Sequence, residues 1–155
     1  MKIIKADETH IPGILKLLLQ VNQVHADGRP DLFKSGGIKY TENEVAQKLA
    51  RPEETIFVAE EDGAVLGYVF GVEERTEETT SVYAKKTLYI DDLCVDEVCR
   101  GKGVGKALYT FIRAYAKDAG YDRITLHVWE CNPNAKKFYE AVGLKPMYAA
   151  MEAVL

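Results

Sequence analysis

The stretch from Thr87 to Lys106, TLYIDDLCVDEVCRGKGVGK, constrains the fold more tightly than any other part of the chain. Leu88, Ile90, Leu93 and Val95 are strand formers, so the stretch begins as a β-strand. Arg100, Gly101, Lys102, Gly103, Val104 and Gly105 then place three glycines and two cations within six positions. Glycines let a chain bend sharply and bring several backbone N–H groups to one point. The apolar residues that follow at helical spacing predict a helix, whose N-terminus adds unpaired donors and a positive dipole end. Such a turn should hold an anion, most naturally a phosphate group. Lys102 and Lys106 would add charge to it.

The spacing excludes two common phosphate loops. A nucleotide triphosphate loop needs Gly-Lys followed by a hydroxyl residue to hold magnesium, and Gly105-Lys106 is followed by Ala107. A dinucleotide fingerprint needs a third glycine where Lys106 stands.

The chain of 155 residues is long enough for one core and is read as a single domain over residues 1–155. A net charge of −4 argues against nucleic acid as a main partner and is compatible with a cationic substrate. No apolar run reaches membrane-spanning length, and MKIIKADETH lacks the apolar core of a signal peptide, so no membrane role is expected. Cys94, Cys99 and Cys131 are odd in number and form no CxxC pair, which fits a reducing cytoplasm and offers no metal site.

In order, the chain predicts a strand over Lys2–Ala6 and a helix from about Ile11 to His25, with Ile11, Leu15, Leu18 and Leu19 as its stripe. Asp27-Gly28-Arg29-Pro30 breaks it. Thr41 and Glu44 form a capping-box pattern ahead of a second helix carrying Val45 and Leu49. Strands over Thr55–Glu60 and Ala64–Glu74 flank the turn Glu61-Asp62-Gly63. The central strand spans about Lys86–Asp96, and the long helix after the glycine loop ends at Gly120. A strand over Arg123–Glu130 precedes a short helix with Asn132 as N-cap and Pro133 at its first position. Leu144–Leu155 should supply one or two closing strands.

Arg100-x-x-Gly103-x-Gly105 resembles the acyl-CoA pyrophosphate loop of the GNAT superfamily of N-acetyltransferases. Trp129-Glu130-Cys131-Asn132, then Phe138-Tyr139 and Gly143, resembles that family's second signature. The likeness is strong from about Leu88 to Met147 and weaker before it. It implies an α/β fold: a mixed, mostly antiparallel twisted sheet of six to seven strands flanked by about four helices. It also implies acetyl-CoA as cosubstrate, with the central strand splayed from its neighbour so that the pantetheine arm pairs with Leu93, Cys94 and Val95. Asn132 would contact that arm, cap the helix, or do both. The Tyr139 hydroxyl would lie near the sulfur as general acid, and Cys94 would be a strand filler, because the family transfers the acetyl group directly.

Acetyl transfer to an amine also needs a proton acceptor, because a free alkyl ammonium titrates near pH ~10. Asp91 and Asp92 are adjacent on the central strand, so strict alternation points their side chains to opposite faces. Two acids in mid-strand are costly unless they meet solvent, a cation or substrate. Leu88-Tyr89-Ile90-Asp91-Asp92 resembles the segment of diamine acetyltransferases in which an acidic pair handles the amine. On that mapping Asp91 is the base, directly or through water, and Asp92 a substrate contact, or the reverse. Glu73, with Glu74 beside it, is a further acid at the end of the neighbouring strand. His25, Arg29 and Phe33 lie in the segment that often lines the family's acceptor site, whereas His127 reads as a packed residue.

The implied activity is acetyl transfer to the primary amine of a small molecule, polyamine- or aminoglycoside-like. A peptide amine is the competing acceptor, and a non-catalytic acyl-CoA sensor is the alternative outside enzymology. The apolar tail from Met147 to Leu155 is either a closing strand or a homodimer surface.

Overall fold

A computed structural model describes residues 1–155. Five strands form one sheet in sequence order: β1 (Lys2–Lys5), β2 (Glu54–Glu61), β3 (Ala64–Thr76), β4 (Lys85–Val95) and β5 (Arg123–Leu126). The first four pair antiparallel, and β5 runs parallel to β4. Four helices complete the chain: α1 (Ile11–Gly28), α2 (Glu42–Ala50), α3 (Val104–Asp118) and α4 (Pro133–Ala141).

Local chemistry sets the ends of these elements. The Thr41 hydroxyl accepts from the Glu44 amide while the Glu44 carboxylate accepts from the Thr41 amide, closing the expected box at the start of α2. Gly120 and Gly143 follow α3 and α4 with φ of 72° and 99°, a left-handed conformation that glycine adopts without strain.

Strand alternation then sorts the core into two layers. On one face Ile14, Leu17 and Leu18 of α1 and Val45 of α2 pack on Ile56, Val58, Tyr68, Phe70 and Cys94. On the other, Val104, Leu108 and Ile112 of α3 pack on Phe57, Ala59, Val69, Leu88 and Ile90. The buried stripe of α1 therefore runs through Ile14 and Leu17 rather than Leu19, which is exposed, and the helix continues to Gly28.

Three expectations are corrected. The sheet has five strands, not six to seven. Leu144–Leu155 forms no strand: Pro146 has no N–H to give a ladder, and the tail is tied down by side chains instead. Finally, β5 stops at Leu126 instead of Glu130, because β4 bends away from it one residue later.

Candidate active site

The bend is a β-bulge. Along β3 and β4, Phe70 pairs with Asp92 and Gly71 with Ile90, which leaves Asp91 as the extra residue. Parallel pairing with β5 covers only Thr87–Ile90, so Asp91–Val95 has β3 on one side and no strand on the other. Leu93, Cys94 and Val95 thus lie on an open strand edge, able to take an extended ligand by backbone hydrogen bonds.

The bulge also resets which way side chains point. Leu88 and Ile90 face α3, and so do Leu93 and Val95, while Cys94 faces α1. Asp91 and Asp92 fall together in the interval and turn toward the α1–α2 layer, not to opposite faces. The Asp91 carboxylate accepts from the Tyr40 hydroxyl at 2.6 Å and from Lys39 Nζ at 3.0 Å. Lys39 Nζ also donates to the Asp91 carbonyl at 2.8 Å.

Asp92 has no such partner. Burial pushes its carboxyl up to about 6, and Lys39 only partly offsets this. Beside it lies the fully buried Tyr68, whose hydroxyl has no partner within hydrogen-bonding distance although it is close enough to favour the carboxylate. A buried polar atom without a partner is costly, and such sites concentrate where ligands bind. Burial first, then the Asp92 charge, pushes the Tyr139 phenol upward, so it keeps its proton at neutral pH. The Asp92 charge on β4 thus reaches the Tyr139 phenol on α4, which is protonated. The Cys94 thiol is held up to about 12 by burial and donates to the Leu17 carbonyl at 3.6 Å, so it is no nucleophile at neutral pH.

The loop after β4 is shaped as an anion cradle. Gly101 and Gly103 have φ of 76° and 85°. The backbone amides of Gly101, Gly103, Val104, Gly105 and Lys106 donate to no protein group, and Gly103 caps α3 without a side chain. Gly105 has a different task. A Cβ there would meet Phe138 at 3.3 Å and Val95 at 3.5 Å, so its hydrogen lets α3 close on β4 and α4. Arg100 is exposed, and its Nε donates to the Val95 carbonyl at 3.3 Å, which ties the loop to the end of β4. Lys102 is exposed, and Lys106 is exposed one turn into α3. Residues placed around these free amides and the open edge fit the pyrophosphate and pantetheine of a coenzyme A group.

Asn132 Oδ1 accepts from the Ala135 amide at 3.1 Å and so caps α4, which leaves its amide NH₂ to meet a ligand. His25 and Phe33 form an aromatic cluster with Trp129, with ring centroids 5.1 and 5.3 Å apart. Arg29 instead pairs with Asp31 and with Glu152 of the tail. Glu73 bonds Arg75, Lys86 and Tyr121 on the α3 side and is not brought together with Asp92 and Tyr139. His127, read as packed, is exposed and bonds the hydroxyls of Tyr89 and Tyr148. Lys39, Tyr40 and Tyr68 escape a reading of the sequence alone; the only hint was two polar residues placed directly before the α2 capping box.

Comparison with known proteins agrees with this geometry. The model of the acetyltransferase (GNAT) family matches residues 21–144. An uncharacterised N-acetyltransferase encoded near pepI in Lactobacillus delbrueckii subsp. lactis is 25% identical over 148 residues, 93% of this chain and 84% of that protein. L-ornithine N5-acetyltransferase of Arabidopsis thaliana is 40% identical over 63 residues, 41% of this chain and 28% of that protein. A crystal structure of a single-site mutant of the BH1408 protein from Bacillus halodurans superposes with a TM-score of 0.96 at 29% identity, covering 100% of this chain and 99% of that one. With the bulged open strand, the glycine cradle and the matching family model together, the chain belongs to the GNAT acetyltransferase family and is an N-acetyltransferase.

Proposed function

We propose that this single domain, residues 1–155, transfers the acetyl group of acetyl-CoA directly to a primary amine of a small cationic molecule, polyamine- or aminoglycoside-like. The observation that carries the reading is the bulge where β4 opens, which holds Asp92, raised to about 6, with its charge felt by the protonated Tyr139. Asp92 takes the proton of the acceptor ammonium, directly or through a water. The amine nitrogen attacks the thioester carbonyl; the C–N bond forms and the C–S bond breaks. Tyr139 gives its proton to the departing thiolate, and the second proton that the nitrogen sheds as the amide forms restores the Tyr139 phenol, directly or through a water. The amides of Leu93–Val95 orient the donor, the amides of Gly101–Lys106 hold its pyrophosphate, and Asn132 contacts the pantetheine arm.

A carboxylate pair at the acceptor side favours a cationic acceptor over a neutral one. The ornithine acetyltransferase that matches part of the chain acts on an alkyl amine, which is in keeping with this class. Three free cysteines suit a reducing cytoplasm.

Thiol release from acetyl-CoA against polyamines, aminoglycosides, amino acids and short peptides tests the reading. Release with a small polycation is expected. Release with peptides alone would replace the acceptor class, and CoA binding without release for any amine would favour an acyl-CoA sensor.

A further inference from the structure

Lys39 lies in the segment between α1 and α2, and its ammonium group sits on the acceptor side of the bulge. It contacts the Asp91 carbonyl at 2.8 Å and the Asp91 carboxylate at 3.0 Å. The Tyr40 ring lies 5.3 Å from the same Nζ. Two oxygens and an aromatic face make a site for a primary ammonium on an alkyl stem. The acids are not alone in marking a ligand position, because the fully buried Tyr68 hydroxyl beside Asp92 has no partner of its own. The Lys39 side chain is 39% exposed while Asp91 is 15% exposed, so the cation comes in from solvent to a partly sheltered carboxylate.

We infer that Lys39 is a resident stand-in for the acceptor's ammonium group, and that a cationic acceptor binds at Asp91 by displacing it. This rests on the proposed amine acetyltransferase activity and narrows it. An alkyl ammonium carries the same charge and donors as the Lys39 headgroup, so it can replace every contact that Lys39 gives up. A neutral molecule of the same shape cannot, and leaving the pair intact then favours Lys39. Lys39 thus sets the threshold an acceptor must pass to reach the site, and Asp91 requires that acceptor to be a cation.

Displacement has a quantitative consequence. If Lys39 holds the site about nine-tenths of the time, about one-tenth of the protein is open to an acceptor, and apparent affinity is about tenfold below the intrinsic value. Lys39→Met keeps the stem and removes the competitor. Lys39→Arg keeps a cation in place and should retain the wild-type threshold.

Calorimetric titration of the CoA-bound protein with 1,4-diaminobutane, and with 1,4-butanediol as its neutral counterpart, tests the inference. The diamine should bind Lys39→Met about tenfold more tightly than wild type, bind Lys39→Arg as wild type, and fail to bind Asp91→Asn. The diol should bind none of them. Equal or weaker diamine binding by Lys39→Met, or undiminished binding by Asp91→Asn, would overturn it. Thiol release measured on the same proteins separates the two readings. Tighter diamine binding without any acetyl transfer would remove the proposed activity and leave the displaced-lysine site standing.

Discussion

The stretches on either side of the open edge of β4 offer different kinds of binding group. Around Gly101–Lys106 the binding groups are backbone amides, arranged by two left-handed glycines and a helix N-terminus. Around Asp91 and Asp92 they are side chains drawn from three places in the chain: β4, β3 through Tyr68, and the α1–α2 segment through Lys39 and Tyr40. A backbone site depends on conformation and tolerates change in the neighbouring side chains. A side-chain site depends on identity and charge, and can be retuned by single substitutions without loss of fold. On the proposed function, the donor half of the cleft is therefore suited to one fixed ligand and the acceptor half to a selectable one.

The largest expected effect breaks the donor side alone. Gly103→Val forces a β-branched residue to a φ of 85° and should weaken CoA binding by about 100-fold or more, read by calorimetry. Binding at wild-type strength would mean that the cradle is not formed by this turn. Next, Tyr139→Phe should lower kcat by about 100-fold with little change in CoA affinity, since the ring stays and the proton donor goes. A fall in CoA affinity with kcat intact would instead make Tyr139 a packing residue.

Asp92→Asn tests the acceptor side through stability. Because the folded carboxyl sits near 6 and the free one near 3.8, the native state binds the extra proton between those values. Asp92 should therefore cost stability as pH rises through that window, against the opposite slope of carboxylates held low such as Glu44 and Glu60. Asp92→Asn should remove this contribution and be more stable at pH 7 by up to about 3 kcal/mol, measured by urea denaturation. A variant less stable than wild type at pH 7 would show that the carboxylate is compensated in the fold. The smallest effect is expected for Gly105→Ala. The helix gains about 1 kcal/mol from replacing glycine, and the close approach to Phe138 at 3.3 Å takes back a similar amount. Tm and CoA affinity should stay near wild type, in contrast to Gly103, and loss of CoA binding would make the two glycines equivalent.

The same division explains what could be read in advance. The cradle was legible because conformational demands leave glycines at fixed spacing, and the α2 and α4 caps because their partners are three residues away. The orientation of the acids departs from strict alternation, and the sequence carries a signal of it. The apolar residues Leu88, Ile90, Leu93 and Val95 step by three instead of two in the middle, and that extra residue is the bulge. Lys39 and Tyr40 meet Asp91 across 52 and 51 positions of sequence, a contact that no local pattern encodes. The tail was expected to close the sheet on the strength of its apolar residues. It forms no strand, and contacts of Tyr148 with His127 and of Glu152 with Arg29 hold it instead.

Among all these tests, the pH dependence of kcat/KM for wild type and Asp92→Asn bears most directly on the proposed chemistry. It would be followed by thiol release with the best acceptor of the amine panel. The account predicts a wild-type rate that rises through about pH 6 as Asp92 loses its proton, and a variant that has lost both this limb and most of the rate. An unchanged limb and rate in Asp92→Asn would contradict it and place the proton acceptor elsewhere.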